Sequence, residues 1–285
     1  MNKYLKEKLF KCLMYISVAI IVLALALIIG TNAIKGGWVL LRDPSIIITE
    51  PGPQYLLGGE GGLLHAIIGS LYMVLPSTII AAVLAYFIAR FLQIDYVRQR
   101  WADGLRILFD IIWGVPSILL GVFVLTILIM IKARGCLLAA IITLTILQLP
   151  IIIRYMDEAL SSVPNGIRES MYSLGATKLE TSRVIAKYAL PGIIAGVLLG
   201  MGRAIGDAAS VVFTAGAANA IPKGLFSSAT SLPLLIYLQA SSYNATVREH
   251  AYAAAFILII IVFVLNIVSR KCAKRFKRYT NGGKK

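Results

Sequence analysis

Two charged residues, Arg203 and Asp207, lie four positions apart inside an apolar run of the sequence. On a helix, residues at this spacing share a face, so the two side chains can pair. An arginine guanidinium offers five fixed donors, suits bidentate contact with an oxyanion and stays charged when desolvated. Asp207 could hold Arg203 while the anion is absent, or accept a proton from a protonated oxyanion. The alternative interpretation is a neutralising pair that lets the helix insert and sets its rotation.

A second candidate site is a polar segment, residues 154–191, between two apolar runs. Its nine charges make it too polar to cross a bilayer, and it is too short to be a domain. Its sequence is nevertheless organised. Pro164 suits the first turn of a helix, Gly175 can take the left-handed conformation that ends one, and Thr177 and Glu180 have capping-box spacing for the next.

This pattern predicts two short helices joined by a sharp bend at Gly175. Ile167, Met171 and Leu174 fall at i, i+4 and i+7, which predicts one apolar stripe on the first helix. So much capping favours a cytoplasmic docking surface for a partner that transmits force. The alternative is a surface hairpin that only ties the flanking membrane helices together.

The elements that carry these sites are predicted to be membrane helices. Of the 285 residues, 59% are hydrophobic, and the mean hydropathy of +0.83 is well above that of a soluble protein. A helix of about 20 apolar residues crosses a hydrocarbon core of about 30 Å. The apolar runs lack the alternation of a barrel, so we predict an all-α polytopic protein with six transmembrane helices. The predicted spans are 12–34, 64–89, 107–131, 136–153, 195–218 and 251–269.

The first run could instead be a signal peptide, because four lysines precede it. Its uncharged core is longer than the usual signal-peptide core of about 7–15 residues, which favours a retained helix.

The formal net charge of +15 indicates orientation rather than a nucleic-acid partner. With both termini inside, the cytoplasmic segments hold 21 of the 28 lysines and arginines. Lysine and arginine accumulate on the cytoplasmic side of membrane proteins, so the N- and C-termini are predicted to be cytoplasmic. The basic tail, residues 270–278, is predicted to face anionic lipid.

Nothing in the sequence indicates a catalytic or metal site. The cysteines (Cys12, Cys136 and Cys272) are scattered, and the histidines (His65 and His250) lie at opposite span ends, where each is predicted to be an interfacial residue. The phosphate-binding motif GxxxxGK[ST] is absent, so we do not expect this chain to hydrolyse ATP. The chain is predicted not to be an enzyme.

Other features predict how the helices pack. Gly192, Gly196 and Gly200 recur at every fourth position, which allows another helix to approach closely. The turn-rich segment 35–62 predicts an irregular external loop that lets the first helix stand apart. The apolar patch 232–238 predicts either a helix at the outer mouth of the bundle or a docking surface for an external partner.

The polar segment also carries a family resemblance. Glu169-Ser170-Met171, followed at fixed spacing by Gly175 and Ile185, resembles the EAA loop of permeases of ATP-binding-cassette (ABC) importers. In that family the bent helix is the coupling helix, which sits in a groove of the nucleotide-binding subunit. The resemblance implies an ATPase-coupling role for Arg168, Glu169, Gly175 and Ala176. Ser170 and Met171 stand where the family usually has alanines.

The resemblance covers roughly residues 61–269 and is to the phosphate-importer permeases of the PstA type. It is carried by segments such as WGVPSILLGVF, SLGATKLETSRVI and GRAIGDAASVVFTAG. It implies a MetI-like type I importer-permease fold in the plasma membrane, with Arg203 and Asp207 on the substrate pathway. Asp207 stands where that family has glutamate, one methylene longer.

Three segments follow from this resemblance. Residues 1–60 comprise the basic N-terminal segment, the first helix and the external loop. Residues 61–270 form the importer transmembrane domain with the coupling loop 154–191, and residues 271–285 form a basic cytoplasmic tail.

The resemblance also implies partners. They are a second, PstC-like permease, a dimer of ABC ATPases and an extracytoplasmic phosphate-binding protein, with inorganic phosphate as the cargo. ATP and magnesium are expected on the ATPase, and no cofactor is expected on this chain.

Three alternatives remain open. A permease for another oxyanion, such as sulfate or molybdate, would share these features. An ion-driven secondary carrier would typically show inverted repeats with paired broken helices, which this sequence does not show. A membrane assembly or sensory subunit would use the polar segment only as an interaction site.

Overall fold

Helices form most of the described backbone. The computed structural model describes residues 3–55 and 58–281, without the side chains of Leu5 and residues 275–281. Within these residues the all-α prediction is confirmed, and one isolated bridge, Gly216 to Ala229, is the only β pairing. The helices are α1 (Lys3–Arg42), α2 (Leu64–Phe91), α3 (Gln99–Gly114), α4 (Ser117–Met130), α5 (Leu137–Ser161), α6 (Asn165–Ser173), α7 (Lys178–Ile205), α8 (Leu232–Gln239) and α9 (Ala245–Asn281), with a 3-10 turn at Pro44–Ile47.

Five helices are long and apolar enough to cross a membrane, namely α1, α2, α5, α7 and α9. The remaining predicted span, 107–131, is wrong as a single helix, because it is divided between α3 and α4, which are bent by 90°. Val115 is extended (φ −66°, ψ 128°) at the break. The following Pro116 disfavours a helical conformation at Val115 and has no N–H to donate. If the bent pair is one crossing, the total is the predicted six.

Three predicted spans are parts of longer helices, and one is displaced. α1 continues to Arg42, inside the segment predicted to be an irregular loop, while α5 runs to Ser161 and α9 to Asn281. The fifth span is displaced, since α7 covers Lys178–Ile205 instead of 195–218. Hydropathy marks where a helix meets lipid, whereas backbone hydrogen bonding can continue into water beyond that point.

α5 lies at the centre of the bundle and packs against α2, α3, α4 and α7. Its cytoplasmic half shares a buried cluster with three alanines of α2, Ala81, Ala85 and Ala89, which are fully buried. Small side chains at every fourth position let two helix backbones approach closely. α2 and α5 therefore form the most tightly joined pair of the bundle.

Glycines provide the same close approach between α5 and α7. A Cβ atom added at Gly196 would lie 2.6 Å from Tyr155 Cβ, and one at Gly200 would lie 2.5 Å from Ile152 Cγ1. The predicted glycine packing stripe is confirmed at these two positions.

A buried polar cluster also joins α2 to α5. Thr78 Oγ1 donates to Gln148 Oε1 at 3.0 Å, and Gln148 Nε2 donates to Ser77 Oγ at 3.0 Å. Both polar atoms of the glutamine amide therefore have partners, as a polar group away from water requires.

α1 stands largely apart from the bundle, as predicted. Its described side chains from Lys6 to Ile29 are all exposed. Contact is made near its C-terminal end, where Lys35 lies 4.7 Å from the centre of the Tyr252 ring on α9 and Val39 joins a buried cluster.

The outer end of the bundle corrects one prediction and distinguishes between the two alternatives for the apolar patch 232–238. His65 and His250 are not interfacial, because both are buried and both rings contact Tyr55, at centroid distances of 5.6 and 5.0 Å. Burial raises the pKa of Tyr55 to about 12. The apolar patch of α8 is mostly internal, since Leu232, Leu234 and Leu235 are buried. This favours the interpretation of α8 as part of the bundle over that of an external docking surface.

We expect Gly196→Ala to lower the stability of the protein in detergent by about 1–3 kcal/mol, because the new methyl group meets Tyr155 in a packed core. Gly202→Ala on the same helix is the matched control, since a Cβ there has nothing within 4 Å. Thermal unfolding of the two variants measures the difference. Equal midpoints would show that α5 and α7 are not in close contact at Gly196.

Candidate functional site

The bend in the polar segment is built around Gly175, as the sequence predicts. Gly175 has a φ of +79°, in the left-handed region. Its N–H donates to the carbonyl of Tyr172 at 2.9 Å, and the N–H of Ala176 donates to the carbonyl of Met171 at 3.0 Å. This pair of bonds is the Schellman motif, which ends α6 and reverses the chain.

The helix that follows the bend begins with the predicted capping box. Thr177 Oγ1 accepts from the Glu180 N–H at 3.3 Å, and the Glu180 carboxylate accepts from the Thr177 N–H at 2.8 Å. The prediction that this second helix is short is wrong, because α7 continues to Ile205. The bend is therefore attached directly to a membrane-spanning helix.

The apolar stripe predicted on α6 is only partly present. Ile167 packs against the buried cluster of the bundle and Met171 is half-buried, but Leu174 is 82% exposed. Leu174 follows the last helical residue, so it no longer shares the inward face of the helix. Pro164 is likewise the cap before Asn165 and does not lie inside the first turn.

The other coupling residues inferred from the sequence differ in their surroundings. Glu169 is exposed and Ala176 is half-buried. The Arg168 side chain turns inward, and only 13% of it is exposed. Its Nε lies 3.2 Å from Oδ2 of Asp95, in the linker between α2 and α3.

Asp95 is the polar anchor of α6. Its side chain is 2% exposed, and besides the ion pair with Arg168 it accepts a hydrogen bond from the Tyr172 hydroxyl, 2.6 Å from Oδ1. Partial burial, and then the hydrogen bond to the carboxylate, raise the pKa of Tyr172 above its usual value. Two α6 side chains one turn apart thus meet on one buried carboxylate.

A second carboxylate, Asp157 of α5, lies at the same end of the bundle. Arg106 of α3 donates to it at 2.7 and 3.2 Å, and Gln93 of the α2–α3 linker donates to it at 2.9 Å. A neighbouring ion pair joins Arg154 of α5 to Asp110 of α3 at 2.6 Å. These groups line an open cavity of about 580 Å³ between α3, α5 and the start of α6.

The sequence reasoning missed this cluster, with Asp95, Asp157 and Arg106. Arg154 is exposed at the cytoplasmic end of α5, where it pairs with Asp110. One signal was present: Gln93 and Asp95 lie in the short linker after α2, beside arginines. Their partners lie more than 50 residues away in sequence, so periodicity does not reveal them.

Arg203 and Asp207 do not form the predicted pair. Arg203 lies in the last turn of α7, but the helix ends at Ile205, so Asp207 no longer follows the helical spacing. Asp207 instead accepts two hydrogen bonds from Ser210, from its N–H at 3.3 Å and from its hydroxyl, both through Oδ2. Arg203 is exposed, and no described side chain gives it an ion pair or a hydrogen bond.

The position of Arg203 along the span also differs from the prediction. It lies near the end of α7 and not midway along the span, sixteen residues after Lys187. At 1.5 Å per residue this separation is about 24 Å along the helix axis. With the start of α7 on the cytoplasmic side, Arg203 lies in the outer half of the span.

The fold is that of the membrane subunit of an ABC importer. The MetNI methionine ABC transporter in its inward-facing conformation matches with a TM-score of 0.60 and 20% identity, over 75% of this chain and 95% of the matched chain. A second crystal form of MetNI, from a selenomethionine soak, gives a TM-score of 0.59 and 21% identity over the same shares. The predicted MetI-like fold is confirmed.

Residues 83–278 match the family described as "Binding-protein-dependent transport system inner membrane component". The chain belongs to this family, and it is a multi-pass protein of the plasma membrane.

Relatives of this chain include phosphate transport system permeases. The chain is 33% identical to PstA of Yersinia pestis over 226 residues, which are 79% of this chain and 76% of that protein. It is 32% identical to PstA of Haemophilus influenzae over 266 residues, 93% and 92% of the two chains. It is 31% identical to the probable PstA of Methanocaldococcus jannaschii over 232 residues, 80% and 82%. The resemblance to the PstA type is confirmed.

We expect Gly175→Ala to weaken the bend by about 1–2 kcal/mol, because a side chain at φ +79° is strained in the left-handed region. Gly166→Ala in α6 is the matched control, since its Cβ has nothing within 4 Å and alanine favours a helix interior. Hydrogen exchange of the α6 amides measures the effect, with roughly 5- to 30-fold faster opening expected for Gly175→Ala. Unchanged exchange in that variant would contradict the structural role of the glycine.

Proposed function

We propose that this chain is a permease subunit of an ATP-driven phosphate importer, which forms part of the translocation pathway and couples to separate ATPase subunits. The observation that carries the proposal is the continuity of α7 from the capped bend to Arg203. One helix thereby joins the surface suited to an ATPase with the residue suited to an anion. We assign transport to residues 61–270, with 271–285 as the cytoplasmic tail.

The exposed side of the bend supports its assignment as the coupling helix. Leu174 offers an apolar side chain at the tip, and Glu169 offers a charge beside it. Gly175 fixes the reversal of the chain, and the absence of a side chain there leaves room for an approaching surface. Arg168 contributes indirectly, because its guanidinium is directed toward Asp95.

Arg203 supports an anionic cargo. A charged side chain within a bilayer costs about 2.5–3.5 kcal/mol on insertion scales, so such residues face a partner or a water-filled path. Since Arg203 has no partner among the described side chains, its donors are available to an oxyanion or to the second permease.

Asp207 supports phosphate over a fully deprotonated oxyanion. Both of its hydrogen bonds to Ser210 use Oδ2, which leaves Oδ1 to accept a proton from phosphate. Sulfate has no proton to offer near neutral pH. The names of the relatives point to the same cargo.

The partners follow from this assignment. They are a second, PstC-like permease, a dimer of ABC ATPases that binds ATP and magnesium, and an extracytoplasmic protein that delivers phosphate. This chain itself is assigned no cofactor and no catalytic residue. The exposed length of α1 supports a further membrane subunit or lipid beside it.

Reconstitution of this chain with these partners in proteoliposomes tests the function. We expect the phosphate-loaded binding protein to stimulate ATP hydrolysis and phosphate uptake, and we expect sulfate and molybdate neither to be imported nor to compete. Import of sulfate or molybdate would assign another oxyanion. Uptake driven by an ion gradient without ATP would establish a secondary carrier, and assembly without any transport would leave only a structural role.

We expect Arg203→Ala to reduce phosphate uptake by roughly 10- to 150-fold, as for loss of a charged hydrogen bond of about 1.5–3 kcal/mol. Because Arg203 has no ion pair among the described residues, the variant should fold and assemble normally. Phosphate uptake by Arg203→Lys should lie between that of the wild type and that of Arg203→Ala, because lysine keeps the charge but lacks the planar donors. Lys223→Ala, in the external segment, controls for the loss of one positive charge. Wild-type uptake by Arg203→Ala would remove this residue from the pathway.

A further inference from the structure

We propose that Asp95 is a positioning residue that ties α6 to α3, so that movement of the bend is passed to the bent third span. The proposal rests on the function proposed above, because it requires an ATPase that displaces α6. It adds a route for that displacement through the linker between α2 and α3.

The first step of the route is the attachment of α6. The described polar side chains by which α6 reaches beyond its own helix are Arg168 and Tyr172, and both end on Asp95. Asp95 is almost completely buried, so these contacts exchange little with water. A buried carboxylate deprived of its partners is costly, which favours movement of Asp95 together with α6.

The second step is the linker itself. Asp95 lies two residues after Gln93, whose Nε2 donates to Asp157 at 2.9 Å and to the carbonyl of Ala89 at 3.2 Å. Both carboxylate oxygens of Asp157 in turn accept hydrogen bonds from the Arg106 guanidinium of α3. Arg106 also donates to the carbonyl of Leu92 at 3.3 Å, at the start of the same linker. The connection from α6 to α3 thus consists of the contacts on Asp95, the two backbone steps from Asp95 to Gln93, and the hydrogen bonds of Gln93 and Arg106 to Asp157.

The third step is the mobility of α3 as a unit. It is separated from α4 by the 90° break at Val115, so it can tilt without bending α4. One side of α3 is polar and largely exposed, with Gln99, Asp103, Arg106 and Asp110, of which Arg106 and Asp110 reach α5. The opposite side is apolar and exposed, with Trp101, Leu108 and Ile111. α3 is held to the bundle by its ion pairs to α5 and by an apolar contact, in which Ala102, Leu105 and Phe109 pack on the buried cluster.

Movement of α3 would change the shape of the cavity of about 580 Å³ at the cytoplasmic end. Two ion pairs line this cavity, Arg106 with Asp157 and Arg154 with Asp110. Displacement of α3 separates or closes these pairs. The cytoplasmic side of the bundle thus opens or closes with the position of α6.

The chain connections of α6 do not supply this route. α6 is joined covalently to α5 through residues 162–164 and to α7 through residues 174–177. Neither connection reaches α3, which follows α2 in the chain. Among the described ion pairs and hydrogen bonds, those on Asp95 join α6 itself to the linker that leads into α3, while Tyr96 joins the same linker to the start of α7.

Transport stoichiometry is the first test, in the reconstituted full complex. We expect Tyr172→Phe combined with Arg168→Gln to keep ATP hydrolysis within about twofold of wild type. Phosphate imported per ATP should fall roughly 5-fold or more, in the range typical of coupling between sites. Asp95→Asn should behave similarly, because it keeps the size of the side chain but loses its charge.

Tyr96→Phe is the matched control. Tyr96 lies in the same linker, is 40% exposed against 39% for Tyr172, and donates a hydrogen bond of 3.3 Å to the carbonyl of Lys178 on α7. It should leave the import ratio unchanged. A proportional loss of import and hydrolysis in the Asp95 and Tyr172 variants would indicate a merely structural role and overturn the proposal.

Spin labels provide the second test. Cysteines would be placed at Ser173 on α6 and Gly104 on α3, both exposed, after the native cysteines are changed to serine. In the wild-type background the distance between the labels should stay nearly constant when ATP binds, because the two helices move together. In the Asp95→Asn background the distance between the labels should change when ATP binds, because α6 then moves without α3. The same ATP-dependent distances in both backgrounds would contradict the route.

The two proposals fail in different ways. A wild-type complex that hydrolyses ATP but does not import phosphate contradicts the assigned cargo. The label distances need ATP and the ATPase but no cargo, so they still test the Asp95 route. A wild type that imports phosphate, with variants that keep its import ratio and its label distances, contradicts only the route through Asp95.

Discussion

Polar groups inside a membrane bundle need partners, because lipid offers none, and the rest of this structure is arranged around that constraint. Within the bundle, α2 and α5 meet this need with hydrogen bonds that join Gln148 to Ser77 and Thr78. At the cytoplasmic end, the buried Asp95 carboxylate has two partners from successive turns of α6, Arg168 and Tyr172. Arg203 is the contrasting case among the described residues, since its donors are left for something outside the chain.

The constraint also separates two kinds of helix contact. α5 meets α2 and α7 through alanine and glycine, so these backbones lie close, and the contacts are apolar except for the polar cluster between α2 and α5. α5 meets α3 through paired charges beside an open cavity. Close apolar packing resists sliding, whereas paired charges near water exchange partners at small cost. The contact of α3 combines both kinds, because Ala102, Leu105 and Phe109 also pack on the apolar cluster that includes α5.

The parts that could be predicted from sequence are those determined locally. Gly175, Thr177 and Glu180 set the end of one helix and the start of the next through bonds within a few residues, and the structure has them as predicted. The existence of the spans follows from hydropathy in the same way. The break at Val115 is also local in origin, because Pro116 follows it, but a proline alone does not determine that the bend is 90°.

The remaining parts depend on distant contacts. The predicted pairing of Arg203 with Asp207 requires α7 to continue to Asp207. The helix ends at Ile205, and the Asp207 carboxylate accepts hydrogen bonds from Ser210 instead. Leu174 shares the spacing of the inward stripe and is nevertheless exposed, because the chain turns there. The ion pairs of Asp95 and Asp157 join segments whose order in space is decided only by the fold.

The unbroken course of α7 has a mechanical consequence. Arg203 lies 25 residues beyond Lys178, a lever arm of roughly 38 Å at 1.5 Å per residue. A tilt of about 5° at the cytoplasmic base would displace its far end by roughly 3 Å, about the length of one hydrogen bond. The angular movement needed to make or break contact with an anion is therefore small.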